Sequence, residues 1–146
     1  MTSLTPLLSL FTRDQIRYLA KFGESLSFGE GETVIRQGDT NEYLYLVLTG
    51  SLNVTRHTDG ASARLGTIGQ GQTIGEVSIF DPGPSSATVE AREETETWRI
   101  SETQLEKFRE EHPLLAYDLV TRIAKCLSER LRGVNERFAN AVAEVV

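Results

Sequence analysis

Apolar and polar residues change their period twice along this chain of 146 residues. Near the start, "TRDQIRYLAKFG" spaces Ile16, Leu19 and Ala20 as one stripe of a helix. Thr12 and Gln15 stand at capping-box spacing, and Gly23 is placed to end that helix. From about residue 25 to residue 100 the period shortens. "TVIRQGD", "YLYLVLTG", "SLNVTR", "ARLGTI", "ATVEA" and "ETWRI" are short runs suited to strands. Gly29 to Gly31, Gly38-Asp39, Gly50, Asp59-Gly60 and Gly69 to Gly71 separate them as turns. Asp59-Gly60 between two such runs is a strong hairpin signal. Short strands with regular glycine turns predict a closed sandwich or barrel of the jelly-roll kind. Trp98, Tyr43 and Tyr45 fall on strands as packing residues.

Helical spacing returns at Ser101, which stands in a second capping box with Gln104. Leu105 and Phe108 begin an apolar face, and Pro113 suits the first turn of a further helix. From Leu114 to Val146 no proline intervenes, so the spacing predicts one helix about 50 Å long. It carries a seam. Val120, Ala124, Leu127, Leu131, Val134, Phe138, Ala141 and Val145 follow steps of 4, 3, 4, 3, 4, 3 and 4. Arg130, Arg132, Glu136 and Arg137 lie between them as solvent-facing types. That is the pattern of a two-stranded coiled coil. A small barrel cannot cover the whole length of such a helix. The surplus stripe calls for a second copy of the chain, and the alternative is packing on its own sheet alone.

The whole chain, 1–146, reads as one α+β domain. Residues 1–24 form an N-terminal helical segment, 25–100 a β-roll (double-stranded β-helix or jelly roll), and 101–146 the C-terminal helices with the dimerisation helix. At 39% hydrophobic and 25% charged, the chain has the composition of a domain with a real core. A net charge of −6 argues against nucleic acid as a partner, while a local field still permits a small anionic ligand. One cysteine, Cys126, allows no internal disulfide and fits a reducing, cytoplasmic setting. No segment reads as a membrane span. The stretch "LTPLLSLF" lacks the basic start of a signal peptide.

The stretch "GQGQTIGEVSIFDPGPSSAT" carries the chemistry. A glycine turn and a short strand run into a helical turn at Gly75-Glu76. Gly75 lets a ligand approach the backbone. The free N–H groups of Glu76, Val77 and Ser78 favour an anion. By itself the signal does not separate such a cradle from an ordinary turn.

From Phe11 to about Phe138 the chain resembles a cyclic nucleotide-binding domain of the catabolite-activator and protein-kinase-regulatory type. "ETVIRQGD" is similar to the family's early strand and turn, and "YLVLTGSLNV" to its Gly-centred hairpin. "LGTIGQGQTIGEVSIF" resembles the entry to its phosphate-binding cassette, "PSSATVEA" the exit, and "LSERLRGVNERF" the long dimer helix. The resemblance implies a ligand site at Ile74, Gly75, Glu76, Val77, Ser78, Ser85, Ser86 and Asn135. Gly75 and the amides after it would hold the cyclic phosphate, with help from Ser86. Glu76 would accept from the ribose 2′-hydroxyl, and Asn135 would reach the purine.

One position departs from the pattern. Nucleotide-binding members usually place Arg where this chain has Ser85. Losing one or two charge-assisted hydrogen bonds costs roughly 1.5–3 kcal/mol each, or about one to four orders of magnitude in affinity. Arg36, Arg64 and Arg92 on the strands, or Arg130 and Arg132 on the long helix, are candidates to replace that charge. Three readings stay open. The pocket binds cyclic AMP or cyclic GMP; it takes another small molecule that suits a neutral site; or it is degenerate, and the chain is a dimerisation or docking module. Each is non-catalytic. Metal-dependent jelly-roll enzymes need several histidines around one site, and this chain has only His57 and His112. No metal or cofactor is expected beyond the nucleotide, no DNA-reading module follows the seam, and an output protein is the further partner.

Overall fold

The computed structural model describes residues 12–145. The elements run α1 (Arg13–Ala20), β1 (Glu24–Phe28), β2 (Thr33–Ile35), β3 (Tyr43–Thr49), β4 (Leu52–Thr58), β5 (Ala61–Ile68), β6 (Thr73–Ile74), α2 (Glu76–Phe80), β7 (Thr88–Ala91), β8 (Thr95–Ser101), α3 (Glu102–Glu111) and α4 (Pro113–Val145). Two antiparallel sheets make the roll, in the orders β1-β8-β3-β6 and β2-β7-β4-β5. This is the β-roll with a short N-terminal and a long C-terminal helix. Both capping boxes form, Thr12 with Gln15 and Ser101 with Gln104. Asp59 and Gly60 both take positive φ, 40° and 79°, the twist that a two-residue hairpin requires. Among the described residues no helix is long and apolar enough to cross a membrane.

Strand β3 explains how the layers join. "YLYLV" is apolar on both faces because both faces are covered. Leu44 and Leu46 pack with Trp98, Ile100, Phe108, Leu119 and Ile123 in a core between sheet and helices. Tyr45 and Val47 point the other way, into the roll with Leu52, Ile74 and Val89. Strand β8 alternates in the same manner. Trp98 and Ile100 face the helices, while Thr95 and Thr97 are fully buried in the roll. Their hydroxyls are satisfied there: Thr97 Oγ1 donates to the Leu26 carbonyl and Thr95 Oγ1 to the Ser51 carbonyl. Tyr43 and Tyr45 lie with ring centroids 6.1 Å apart, and the Arg99 guanidinium stacks 3.8 Å over Tyr43.

Several local expectations are corrected. The runs named from sequence omit β1, whose "ESLSF" is half polar because it edges its sheet. Gly50 does not turn a hairpin. β3 and β4 belong to different sheets, and Gly50 (φ 91°) is the corner at which the chain crosses between them. Gly23 does not end α1, which stops at Ala20 with Lys21 as its C-cap. Its role is close approach. A Cβ at Gly23 would stand 2.6 Å from the Trp98 ring and against the Arg99 carbonyl. Trp98 is pinned there, its Nε1 donating to the Ala20 carbonyl at 3.3 Å.

Helix α4 buries Ala116, Leu119 and Ile123, with Cys126 and Leu127 partly covered by the same core. Burial pushes the Cys126 thiol above its ordinary pKa, so it stays protonated near neutrality. At 100° per residue, Tyr117, Val120, Leu131, Phe138 and Val142 lie about a quarter-turn away from that buried face. All five are exposed. The seam positions therefore divide. Leu127 is drawn into the chain's own core, Val120, Ala124, Leu131, Val134 and Phe138 are exposed, and the side chains of Ala141 and Val145 lie outside the described residues.

A methyl group at Gly23 should cost about 1–3 kcal/mol through overpacking against Trp98. Chemical denaturation of Gly23→Ala reads this directly. Gly83→Ala, where an added Cβ meets nothing within 4 Å, should stay within about 0.5 kcal/mol of the parent. Equal midpoints for the two variants would refute the packing role.

Candidate ligand-binding cleft

A cleft of ≈ 830 Å³ opens between the roll and α4. That volume lies in the range of small-molecule sites. Its apolar floor includes Ile35, Val54, Ile74 and Val89, the inward residues of β2, β4, β6 and β7. One wall is the segment from Gly75 through Ala87. The opposite wall is α4, with Arg130, Gly133, Val134 and Arg137 at helical spacing.

Gly75 makes the first wall possible. It takes φ 86°, and a Cβ there would press on the Tyr43 carbonyl and stand 2.7 Å from Asn41 Nδ2. Asn41 is buried and hooks the backbone two residues on. Its Nδ2 donates to the Tyr43 carbonyl at 2.6 Å, and its Oδ1 accepts from the Tyr43 N–H at 3.1 Å. The chain then enters α2, and the Ile79 N–H bonds back to the Gly75 carbonyl. The N–H groups at the start of α2 have no partner within the helix.

Glu76 is the centre of the site and is only 4% exposed. Its Oε1 accepts a short hydrogen bond from Thr73 Oγ1 and pairs with Arg130 Nη1 at 2.6 Å. The second amino group of Arg130 donates to the Thr73 carbonyl, also at 2.6 Å. No described residue donates to Glu76 Oε2. Arg130, read from sequence among the solvent-facing types, is thus half-buried and ties α4 to the strand and helix below it.

The serine pair closes the first wall. Ser85 is held by its backbone: its N–H donates to the Asp39 carbonyl, and its carbonyl accepts from the Gly38 N–H, both at 2.9 Å. Both hydroxyls are without a protein partner among the described residues. Of the residues expected at the site, Ile74, Gly75, Glu76, Ser78, Ser85 and Ser86 all line this cleft. The Val77 side chain lies outside the described residues. Asn135 does not line the cleft of its own chain. It lies about 140° around α4 from Arg130, on the side of the exposed stripe. Arg36, Arg64 and Arg92 are not in the cleft; Arg36 faces Asp39 at the surface. Asn41 and Thr73 were missed by sequence reading. A polar residue beside a glycine turn leaves no local mark of being buried.

A family model described as the cyclic nucleotide-binding domain matches residues 25–112, the whole roll and α3. The chain belongs to the cyclic nucleotide-binding domain family. Within that family it is similar to the CRP-like cAMP-activated global transcriptional regulator of Mycobacterium tuberculosis H37Rv, 27% identical over 128 residues. It is also similar to lysophospholipase nte1 of Aspergillus terreus, 30% identical over 115 residues. These matches cover 87% and 78% of this chain but 55% and 7% of the two relatives, so the chain corresponds to a part of each. Among solved structures, a cyclic nucleotide-binding domain from Methylobacillus flagellatus superposes with TM-score 0.84 at 26% identity, covering 90% of this chain and 74% of that one. The regulatory subunit of a cAMP-independent protein kinase A from Trypanosoma brucei superposes with TM-score 0.66 at 26% identity, covering 84% and 44%.

Removing the guanidinium from the Glu76 clasp strands a buried carboxylate. Arg130→Gln should destabilise the fold by on the order of 2–4 kcal/mol. In a Glu76→Gln background the same change should cost distinctly less. A double-mutant cycle by denaturant unfolding measures this coupling, and strict additivity would deny the clasp.

Proposed function

We propose that this chain is a non-catalytic regulatory module that takes a cyclic nucleotide in the cleft and works as a homodimer through α4. The observation that carries the reading is the half-used Glu76 carboxylate. Thr73 and Arg130 hold one oxygen and leave the other for a sugar hydroxyl. The amides opening α2 and the Ser85 and Ser86 hydroxyls offer neutral donors to a cyclic phosphate beside it. A planar base suits the apolar floor. The cAMP-activated relative supports the choice of ligand class.

Arg130 links binding to output. It sits on α4, so a ligand that engages Glu76 also meets the anchor of the long helix. Such a ligand shifts α4 by no more than its differential affinity for the two helix positions. The exposed stripe from Tyr117 to Val142 supplies the surface on which a second copy would read that shift. Asn135 lies on the same side, toward the partner.

A second reading has its own support. Ser85 brings no charge to the cassette, and a related fold serves in a kinase subunit described as cAMP-independent. In that reading α4 pairs constitutively and the cleft is idle.

Calorimetry with cyclic AMP and cyclic GMP separates the two: measurable heat supports the sensor, and none with either nucleotide rejects it. Ser85→Arg should then tighten binding by about tenfold or more, one charge-assisted bond's worth. No gain would mean that the serine wall does not face the phosphate. For the dimer, Leu131→Glu should convert the sedimenting species to monomers. An unchanged mass would dismiss the α4 interface.

A further inference from the structure

The wall at Ser85 lacks a fixed positive charge, and the strand beside it carries one. Strand β4 alternates its faces: Leu52 is fully buried in the roll, and Val54 lines the cleft. Two residues on, the same pleat brings Arg56 to that side. The register agrees. Val54 pairs with Val89 and Thr55 with Thr88 across β4 and β7. One further step sets Arg56 opposite Ala87, which lines the cleft and follows Ser86 in the chain. Arg56 is exposed and stands just outside the residues that line the cleft, its Nη1 donating to the Ser86 carbonyl at 3.3 Å. Among the described residues Arg56 has no carboxylate partner, and its other N–H groups have no acceptor.

We propose that Arg56 is the anion-binding residue of this cleft, supplying from β4 the guanidinium that Ser85 does not supply from the cassette. The proposal rests on the cyclic nucleotide reading and assigns Arg56 to the ligand's phosphate. Its present acceptor is a neutral carbonyl at the long end of hydrogen-bonding distance. A phosphate oxygen is charged and accepts the planar fork of Arg through two parallel bonds. A ligand anion at Ser86 would therefore draw the guanidinium inward by a change of rotamer, with no backbone movement. Of the other nearby arginines, Arg130 is committed to Glu76 and Arg36 faces Asp39, while Arg132 and Arg137 line the cleft from the α4 wall, on the side opposite Ser85 and Ser86.

The test is calorimetry with cyclic AMP and cyclic GMP on the full chain, Arg56→Gln, Arg56→Lys, Ser85→Arg and the Arg56→Gln/Ser85→Arg double variant. Thermal melts of each variant check that it is folded. Arg56→Gln should weaken binding about tenfold or more, and Arg56→Lys should retain part of it. Ser85→Arg should tighten binding more in the Arg56→Gln background than in the parent chain, whereas a merely structural role for Arg56 would leave the two gains equal. Undiminished binding in Arg56→Gln overturns the assignment while leaving the nucleotide reading intact. Binding that arises only once Ser85→Arg is introduced overturns it equally, because Arg56 would then have supplied nothing. Silence from the parent chain and every variant overturns both.

Discussion

A carboxylate withdrawn from water has to be met by donors and by positive charge, or its burial works against the fold. Glu76 is met by Thr73 from the strand before it and by Arg130 from a helix 54 residues later in the chain. The consequence reaches beyond one ion pair. The clasp fixes where α4 runs relative to α2 and so sets the distance between the two walls of the cleft. Gly75 and Asn41 prepare the position from below, letting the chain turn tightly enough for Glu76 to face the helix. Arg130 also bonds the Thr73 carbonyl, so the guanidinium reads the backbone as well as the charge.

The two cores explain why a cleft exists at all. β3 and β8 are shared walls, with one face given to the helices and the other to the roll interior. The helix-side core ends at about Leu127 on α4, and beyond it the helix continues past the roll mouth. There it no longer fills the interior. It covers the opening and leaves space bounded by Ile74, Val89 and Val134. The apolar stripe a quarter-turn away remains uncovered over the same stretch, so α4 faces its own roll with one side and open surface with another.

Charge in the cleft follows position rather than the total. The chain is acidic overall, at −6, whereas the cleft lining balances Arg130, Arg132 and Arg137 against Glu76, Glu129 and Glu136. Arg130 is neutralised by Glu76, whereas Arg56 rests on a carbonyl. A positive charge held so lightly can be redirected to a stronger acceptor, and one held in a buried ion pair cannot be moved without exposing its partner.

Much of the architecture was legible in the residues themselves. Both capping boxes, the Asp59-Gly60 hairpin, the helical turn after Gly75 and the length of α4 depend on local spacing and backbone preference, which the sequence carries directly. Six of the expected residues, from Ile74 to Ser86, line one cleft because they fall in one continuous stretch that folds as a unit. What tertiary structure alone decided involves pairs distant in the chain. Gly23 against Trp98, Gly50 as a corner between sheets, Arg130 on Glu76 and Arg56 on Ser86 each join residues that no local period connects. An arginine at strand or helix spacing looks the same whether it meets water or a buried carboxylate. Only packing, which brings one particular partner within reach and excludes solvent from it, separates the two.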